Sequence, residues 1–418
     1  MFAPLRLTLQ RLFVEGDVVI ADPQGRSHRF GNGQGTRIAA AITDTAVERH
    51  LVVDPTLALA EAYMAGTFRI TEGGRIYDFI DLALRNAERL AMPGWTRGFE
   101  VLRYATRRVR QFNPAGRARR NVVHHYDIDR QIYDLFLDGD RQYSCAYFGP
   151  GSDDLEAAQL AKKRHIAAKL MLRPGQRVLD IGAGWGGLGL YLAKMAEVDV
   201  TGITLSDEQI AIARDRAQRQ GLSRSVRFQL EDYRRIAGPF ERIVSVGMFE
   251  HVGINHFQTY FDRIRDLLTE DGVALVHAIG RFDGPSATNP FIARYIFPGG
   301  YIPALSEVLP AVERSGLLVT DVEVLRLHYA ETLRHWRERF IANWDKAVAI
   351  RGDTFCRMWE FYLAGSESSF RHQGLMVFQI QLSKRLGTLP LTRDYMIEEE
   401  RRLKLKEVGA YHSRLAGE

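Results

Sequence analysis

The stretch Val178 to Gly187, VLDIGAGWGG, carries the residues best placed for chemistry. Val178, Leu179 and Ile181 read as a buried strand, with Asp180 the one acid among them. Gly182, Gly184, Gly186 and Gly187 then remove side chains where a ligand must approach the backbone. This is a cradle for an adenosine cofactor. Alone it does not choose between NAD, FAD and S-adenosylmethionine.

The polar residues downstream narrow the choice. Gly189 to Ala196 has helical spacing of apolar residues. A second strand, Val198 to Ile203, runs into Thr204, Leu205, Ser206, Asp207 and Glu208. A dinucleotide fold would usually end that strand in an acid for its ribose hydroxyls. Ser206 reads instead as the N-cap of the next helix, with Gln209 completing a capping box. A third strand, Val226 to Leu230, ends in Glu231, Asp232 and Tyr233, where an acid beside an aromatic can bond an adenine amine and cover its ring. A fourth, Arg242 to Val246, runs into Gly247, Met248, Phe249, Glu250 and His251. A fifth, Val273 to Val276, runs into His277, Ala278, Ile279 and Gly280. All these clusters fall at the carboxyl ends of predicted parallel strands, where open α/β sheets bind ligands. A second pyrophosphate-cradling half is missing, so the pattern favours S-adenosylmethionine. Glycines that serve packing alone would explain one such turn, but not the succession.

The elements that must position these residues form an alternating strand and helix series within residues 121 to 418, which predicts a doubly wound, Rossmann-like α/β domain with a parallel sheet. The series is interrupted between about 281 and 365. An aromatic-rich stretch comes first, including Phe282, Phe291, Tyr295, Phe297 and Tyr301, followed by helical patterns at Leu333 to Ile350 and Phe355 to Leu363. Insertions after strand ends commonly build substrate pockets. A strand at Leu375 to Leu382 is expected to close the sheet edge, and the charged tail Arg393 to Gly409 to be helical. Residues 1 to 94 read as a smaller α+β domain, with strand-like pieces at Asp17 to Ala21, Arg37 to Ile42 and His50 to Val53 and helical patterns at Thr56 to Ala65 and Ile76 to Leu90.

Composition bounds the function classes. The 418 residues suffice for one large and one smaller domain. Two distant cysteines, Cys145 and Cys356, give no disulfide framework and no metal-ligand spacing, and they suit a reducing cytoplasm. No apolar run approaches the roughly 20 residues that span a bilayer. Phe2, Leu5, Leu9, Leu12 and Phe13, beside Arg6 and Arg11, suit either a helix on a membrane surface or one packed on its own domain. The net charge of +5 is unevenly spread: Arg97 to Arg120 holds eight arginines and one acid, Glu100. That run, within a linker at 95 to 120, suits an anionic lipid surface, or is an idle solvated connector. No nucleic-acid recognition module accompanies it.

Several motifs together carry a family resemblance. YSCAYF (Tyr143 to Phe148), GAGWGG, ITLSDEQ (Ile203 to Gln209), MFEHVG (Met248 to Gly253), HAIGR and RYIFPGGYIP (Arg294 to Pro303) closely resemble cyclopropane-fatty-acyl-phospholipid synthases and mycolic acid cyclopropane synthases. AYMAGTF (Ala62 to Phe68) extends the likeness more weakly into the first domain. The resemblance implies a class I methyltransferase fold and S-adenosylmethionine-dependent alkylation of a cis double bond in an unsaturated phospholipid. It also implies peripheral association with the inner membrane face and suggests a homodimer. Such chemistry needs in-line positioning of donor and alkene, exclusion of water from a carbocation, aromatic faces to stabilise it and a base to take a proton.

The resemblance makes that base a bound bicarbonate ion, and its holders carry over as Cys145, Glu250, His277, Ile279 (through its backbone) and Tyr329. The cofactor contacts carry over as Tyr143, Ser144, Gly182, Gly184, Thr204, Leu205, Gln209, Asp232 and Tyr233, to which we add Asp180. Adjacent Glu250 and His251 have no third ligand in register, so no metal is expected. Two departures stand out. The family's Gly-Asn pair after its HYD motif is missing after His125-Tyr126-Asp127. Its cysteine after a Tyr-Leu pair is replaced, since Tyr362-Leu363 leads to Ser366 and Glu367. The Ser366 hydroxyl can still hydrogen-bond an oxyanion, whereas the Glu367 carboxylate would repel one. A methyl-branched or methylene product is therefore the alternative to a ring. A small-molecule methyltransferase, or a cofactor-binding protein without catalysis, are more distant readings.

Overall fold

The protein is described by a computed structural model over residues 1–87 and 130–415, with side chains to Gly409. The arginine run Arg97 to Arg120, the 95–120 linker and the His125-Tyr126-Asp127 motif lie outside the described residues.

The N-terminal elements are α1 (Ala3–Leu12), β1 (Asp17–Ala21), β2 (Ser27–Phe30), β3 (Arg37–Ile42), α2 (Thr45–Val53), α3 (Pro55–Ala65), β4 (Phe68–Glu72) and α4 (Ile76–Ala87). Their sheet runs β2-β1-β3-β4, with β1 parallel to β3 and the other pairs antiparallel. Helix α1 packs on this unit through Leu5 and Leu9, with Phe13 just beyond, and leaves Phe2, Arg6, Leu7 and Arg11 outward. His50 to Val53 is not a strand but the last turn of α2. Asp44 caps that helix, its Oδ1 accepting from Ala46 N at 2.8 Å, and Val47 is buried. The cap and the helical apolar spacing outweigh the β-branched Val52-Val53 pair.

The larger unit holds α5 (Arg130–Asp134), α6 (Leu155–Leu170), β5 (Arg177–Ile181), α7 (Gly187–Ala196), β6 (Asp199–Thr204), α8 (Asp207–Arg219), β7 (Val226–Leu230), β8 (Phe240–Val246), α9 (Phe257–Leu267) and β9 (Leu268–Arg281). Then follow α10 (Leu305–Ser315), β10 (Leu318–Val324), α11 (His328–Ala342), α12 (Trp344–His372), β11 (Leu375–Ser383) and α13 (Asp394–Leu415). The sheet order is β10-β11-β9-β8-β5-β6-β7. Strands β9, β8, β5, β6 and β7 are parallel, and β11 and β10 are antiparallel additions. Alternate strand residues enter separate cores on the two faces. Val178, Val200, Val244 and Leu275 pack with α6 and α7, and Leu179, Ile203, Ile243 and Ala274 pack with α9 and α10. Burial on both faces is why these strands read as apolar runs rather than alternations.

Strand β11 does not close the sheet. It pairs with β9 on one side and β10 on the other, so β10 is the edge. Strand β10, LVTDVEV, lies in the stretch read as an interruption, and its half-buried pattern leaves it without an apolar run. The helices of that stretch also break elsewhere than predicted. One break is at Asn343, whose side chain donates to Leu135 O at 3.1 Å, and the other is at Gly352, which adopts φ +75° inside α12.

Helix α12 joins the two units. Its Glu360, fully buried, accepts from Tyr63 of α3 at 2.7 Å and from Arg75 at 2.5 and 3.2 Å. Arg294 and Tyr295 of the aromatic stretch reach Glu61 of α3 at 2.9 and 2.8 Å. One continuous apolar core runs from Leu5 of the first unit to Val377 of β11.

Candidate active site

A cavity opens at the carboxyl ends of β5, β6, β7 and β8. Its lining includes Tyr143, Ser144, Asp180, Gly182, Gly184, Thr204, Leu205, Gln209, Asp232 and Tyr233. The backbone geometry explains the glycines. Gly182 has φ +83°, and a Cβ there would stand 2.9 Å from Met248 Cβ. Gly186 also has φ +83°, and its Cβ would meet Phe228 Cζ at 2.6 Å. Both positions demand glycine through conformation and through close packing.

Polar pairing shapes the cavity walls. Ser206 caps α8, its Oγ accepting from Gln209 N at 3.3 Å. The capping box is not closed, because Gln209 Oε1 accepts instead from Thr204 Oγ1 at 2.8 Å. That bond ties the end of β6 to α8. Asp232 is held by Arg234 at 2.8 and 2.5 Å. Burial opposes its charge, but the guanidinium and the Arg234 N–H outweigh it and keep the carboxyl below its usual range. Asp140 binds Lys163 at 2.6 Å and also Arg216, whose Nη1 donates to Trp185 O at 2.8 Å. This cluster braces the loop preceding Tyr143 against the glycine turn. Asp180 is different: its Oδ2 is buried with no hydrogen-bond partner among the described residues, and burial pushes the carboxyl up to about 7.

Glu250, Ile279, His277, Cys145 and Tyr329 do not line this cavity. Cys145 sits within the strap Tyr143–Ala146, Glu250 within the 3₁₀ turn Phe249–His251, His277 and Ile279 on β9, and Tyr329 on α11. Glu250 Oε1 accepts from Ile279 N at 2.6 Å. The Glu250 carbonyl accepts from Tyr301 N at 2.9 Å, so the RYIFPGGYIP stretch clamps this turn. Glu250 Oε2 is buried and unpartnered among the described residues, and burial pushes the carboxyl up to about 7. His277, on β9, faces Gln379 of β11, with Gln379 Nε2 to His277 Nδ1 at 3.0 Å. If the amide donates there, the ring proton sits on Nε2. Burial pulls this imidazole down to about 3, so it is neutral at physiological pH.

Cys145 is buried, its thiol donating to Ala146 O at 3.3 Å, and burial pushes its pKa up, so it is no nucleophile. Ala146 N donates to Thr332 Oγ1 at 3.0 Å, which pins the strap one helical turn from Tyr329 on α11. Ser366 is half-buried on α12, one turn beyond Tyr362. No described contact links it to Glu250 or His277. Glu367 turns away into a buried pairing with Arg337 at 2.9 Å and Arg371 at 3.1 Å, so its charge is compensated rather than aimed at the site.

Further rings complete the enclosure, of which Trp336 and Phe370 were not singled out in the sequence. Tyr143 OH lies 3.0 Å from Tyr362 OH, and the Tyr143 ring stacks on Trp336 at 5.1 Å. Tyr329 packs edge-on to Trp336 at 5.8 Å and against Phe370 at 4.9 Å. Phe297 bridges His251 and Tyr362, 5.9 Å from each. These rings come from four separate segments, so no local spacing could have joined them. His251 lines the cavity, and burial takes it down to about 4.

The family model described as mycolic acid cyclopropane synthetase matches residues 114–380. The cyclopropane-fatty-acyl-phospholipid synthase of Escherichia coli (strain K12) is 35% identical over 377 residues, 87% of this chain and 95% of that protein. The "Probable fatty acid methyltransferase" of Pseudomonas putida is 40% identical over 287 residues, 66% of this chain and 73% of that protein. The crystal structure of mycolic acid cyclopropane synthase CmaA1 complexed with SAH and CTAB superposes with a TM-score of 0.60 at 33% identity, over 65% of this chain and 99% of that one. On these matches the chain belongs to the mycolic acid cyclopropane synthetase family and is a Rossmann-like, class I S-adenosylmethionine-dependent methyltransferase.

Proposed function

We propose that this enzyme alkylates a cis double bond in the acyl chain of a membrane phospholipid and closes it to a cyclopropane, with bicarbonate as the base. S-adenosylmethionine supplies the electrophilic methyl carbon, and bicarbonate, when bound, supplies a proton acceptor. The carrying observation is Glu250. One oxygen is fixed by Ile279 N–H, and the other is buried with no partner among the described residues. An orphaned polar atom in a buried site calls for a ligand that hydrogen-bonds to it. A carboxyl near pH 7 can either donate or accept there.

Cys145 and Ile279 would hold the ion through their backbones, and Glu250, His277, Tyr329 and Ser366 through their side chains. Tyr143, Trp336, Tyr329 and Phe297 exclude water and offer ring faces to positive charge developing on the acyl chain, roughly 0.5–2 kcal/mol for each contact. The remaining cofactor contacts would fall to Asp180, Gly182, Gly184, Thr204, Leu205, Gln209, Asp232 and Tyr233. In the same reading residues 1–94 and the basic 95–120 linker approach an anionic membrane surface, and the catalytic unit is 121–418. No helix among the described residues is long and apolar enough to cross a membrane.

A second reading, methyl branching without ring closure, is favoured by Ser366 standing where the family has a cysteine and by the Pseudomonas relative's name. The compensated Glu367 favours the ring, because it leaves an oxyanion at the site unrepelled. The test is incubation with S-adenosylmethionine and vesicles of unsaturated phospholipid, followed by fatty-acid mass spectrometry. A gain of one CH₂ with loss of the double bond is the expected result. A gain with the double bond retained identifies branching, and no gain overturns both.

A further inference from the structure

Lys162 is a buried charge to which the chemistry above assigns no task. It projects from α6, lines the cofactor cavity and is only 1% exposed. Its ammonium donates to Gln142 Oε1 and to Ser144 Oγ, each at 2.7 Å. Both acceptors are neutral. An ammonium has three donors, so one remains. Among the described residues Lys162 makes no ion pair, and the adjacent Lys163 takes Asp140 instead. A cation held in a low-dielectric wall without a paired anion is costly. That arrangement fits a site whose anion arrives with the ligand.

The shape of the cavity says which part of the ligand would bring it. Asp232 and Tyr233 stand at the end of β7, on the sheet edge, and suit adenine. Gly182 follows β5 and Thr204 ends β6, between the extremes. Ser144 and Lys162 mark the other end, where Ser144 Cβ lies 3.9 Å from the position a Cβ would take on Gly247, just beyond β8. A nucleoside with its base at Asp232 therefore carries its amino-acid tail toward Lys162. That tail holds the ligand's one carboxylate.

We propose that Lys162 binds the carboxylate of the methionine tail of S-adenosylmethionine with its third N–H, while its other two hold Gln142 and Ser144 in the same wall. Burial lowers its pKa to about 8, with the Asp138 carboxylate opposing the fall, so it is a cation at neutral pH.

Calorimetric titration of the full chain tests this with three ligands. S-adenosylhomocysteine has the whole tail, S-adenosyl-3-thiopropylamine lacks only the carboxylate, and 5′-methylthioadenosine lacks the amino-acid tail. The native enzyme should prefer the first over the second by about tenfold or more, as a charge-assisted hydrogen bond provides. Lys162→Met should shrink that preference to about twofold or less, with methylthioadenosine affinity unchanged within about twofold. Lys162→Gln, which keeps a polar head without the charge, gives the same reading should the methionine variant not fold. Equal weakening of all three ligands would make Lys162 a wall support and overturn the assignment. A retained preference in the variants, or none in the native enzyme, would overturn it as well.

Discussion

The cofactor cavity and the turn that carries Glu250 handle their carboxyls in opposite ways. In the cavity wall Asp232 is matched by Arg234 and Asp140 by Lys163 and Arg216, and both carboxyls are held below their usual range. In the 3₁₀ turn Glu250 meets only a backbone N–H, and its carboxyl rises to about 7. Desolvation opposes the charge in both places, more completely at Glu250, and only the cavity-side carboxyls have a counter-charge to outweigh it. A paired carboxylate is a fixed point that can orient a ligand. An unpaired one is poised to exchange a proton near neutrality. Asp180 also lines the cavity but belongs with Glu250 in this respect.

The comparison can be broken most sharply at Glu250. Glu250→Gln should lower turnover by about a hundredfold or more, the usual scale of a lost proton-handling group. Affinity for S-adenosylhomocysteine should stay within about twofold, because the cavity wall is untouched. Steady-state kinetics and calorimetry on the same preparation separate the two. Next comes stability against pH in the ligand-free protein. Glu250 rises from 4.5 to about 7 and Asp180 from 3.8 to about 7, so both favour the folded state when protonated. Their contribution is full below about pH 4 and is lost as pH climbs toward 7. At about 1.4 kcal/mol per tenfold in proton affinity, Glu250 alone accounts for a fall on the order of 3 kcal/mol. Denaturant melts from pH 4 to 8 should show the combined fall, and Glu250→Gln should remove its own share while that of Asp180 remains.

A paired carboxylate can also be converted into an unpaired one. Arg75→Ala strips the main counter-charge from fully buried Glu360. Removing the partner of a buried pair costs 3–5 kcal/mol, and the Arg75 side chain is 44% exposed, so about 2 kcal/mol is expected in chemical denaturation. Asp232→Ala should weaken S-adenosylhomocysteine about tenfold with kcat little changed, as the loss of a charged hydrogen-bond partner implies. Ser206→Ala should cost only about 1 kcal/mol, the worth of one helix cap, and leave the chemistry alone.

Much of this contrast was legible in the sequence, because strand ends announce themselves. Apolar runs giving way to glycine or polar residues marked β5 to β9, and the residues expected to meet the cofactor line one cavity. What escaped was set by packing across distant segments. Lys162 sits beside Lys163 in a helix, where two lysines read as a solvated face. Trp336, Tyr143, Tyr362 and Phe297 form a chain of contacts only because α11, the strap, α12 and the aromatic stretch fold together. Strand β10 escaped through its half-buried pattern, and α2 through its β-branched end. The repulsion expected from Glu367 vanished because Arg371, one turn on along α12, and Arg337 of α11 capture it; only the second contact is hidden from local spacing.

The ionisation of Glu250 tests the account most directly. Infrared difference titration of the intact protein against Glu250→Gln isolates the carbonyl band of that single carboxyl. We expect it to be half protonated near pH 7. A carboxyl already fully ionised at pH 5 would contradict an uncompensated group in the 3₁₀ turn, and with it the distinction on which the proposed chemistry rests.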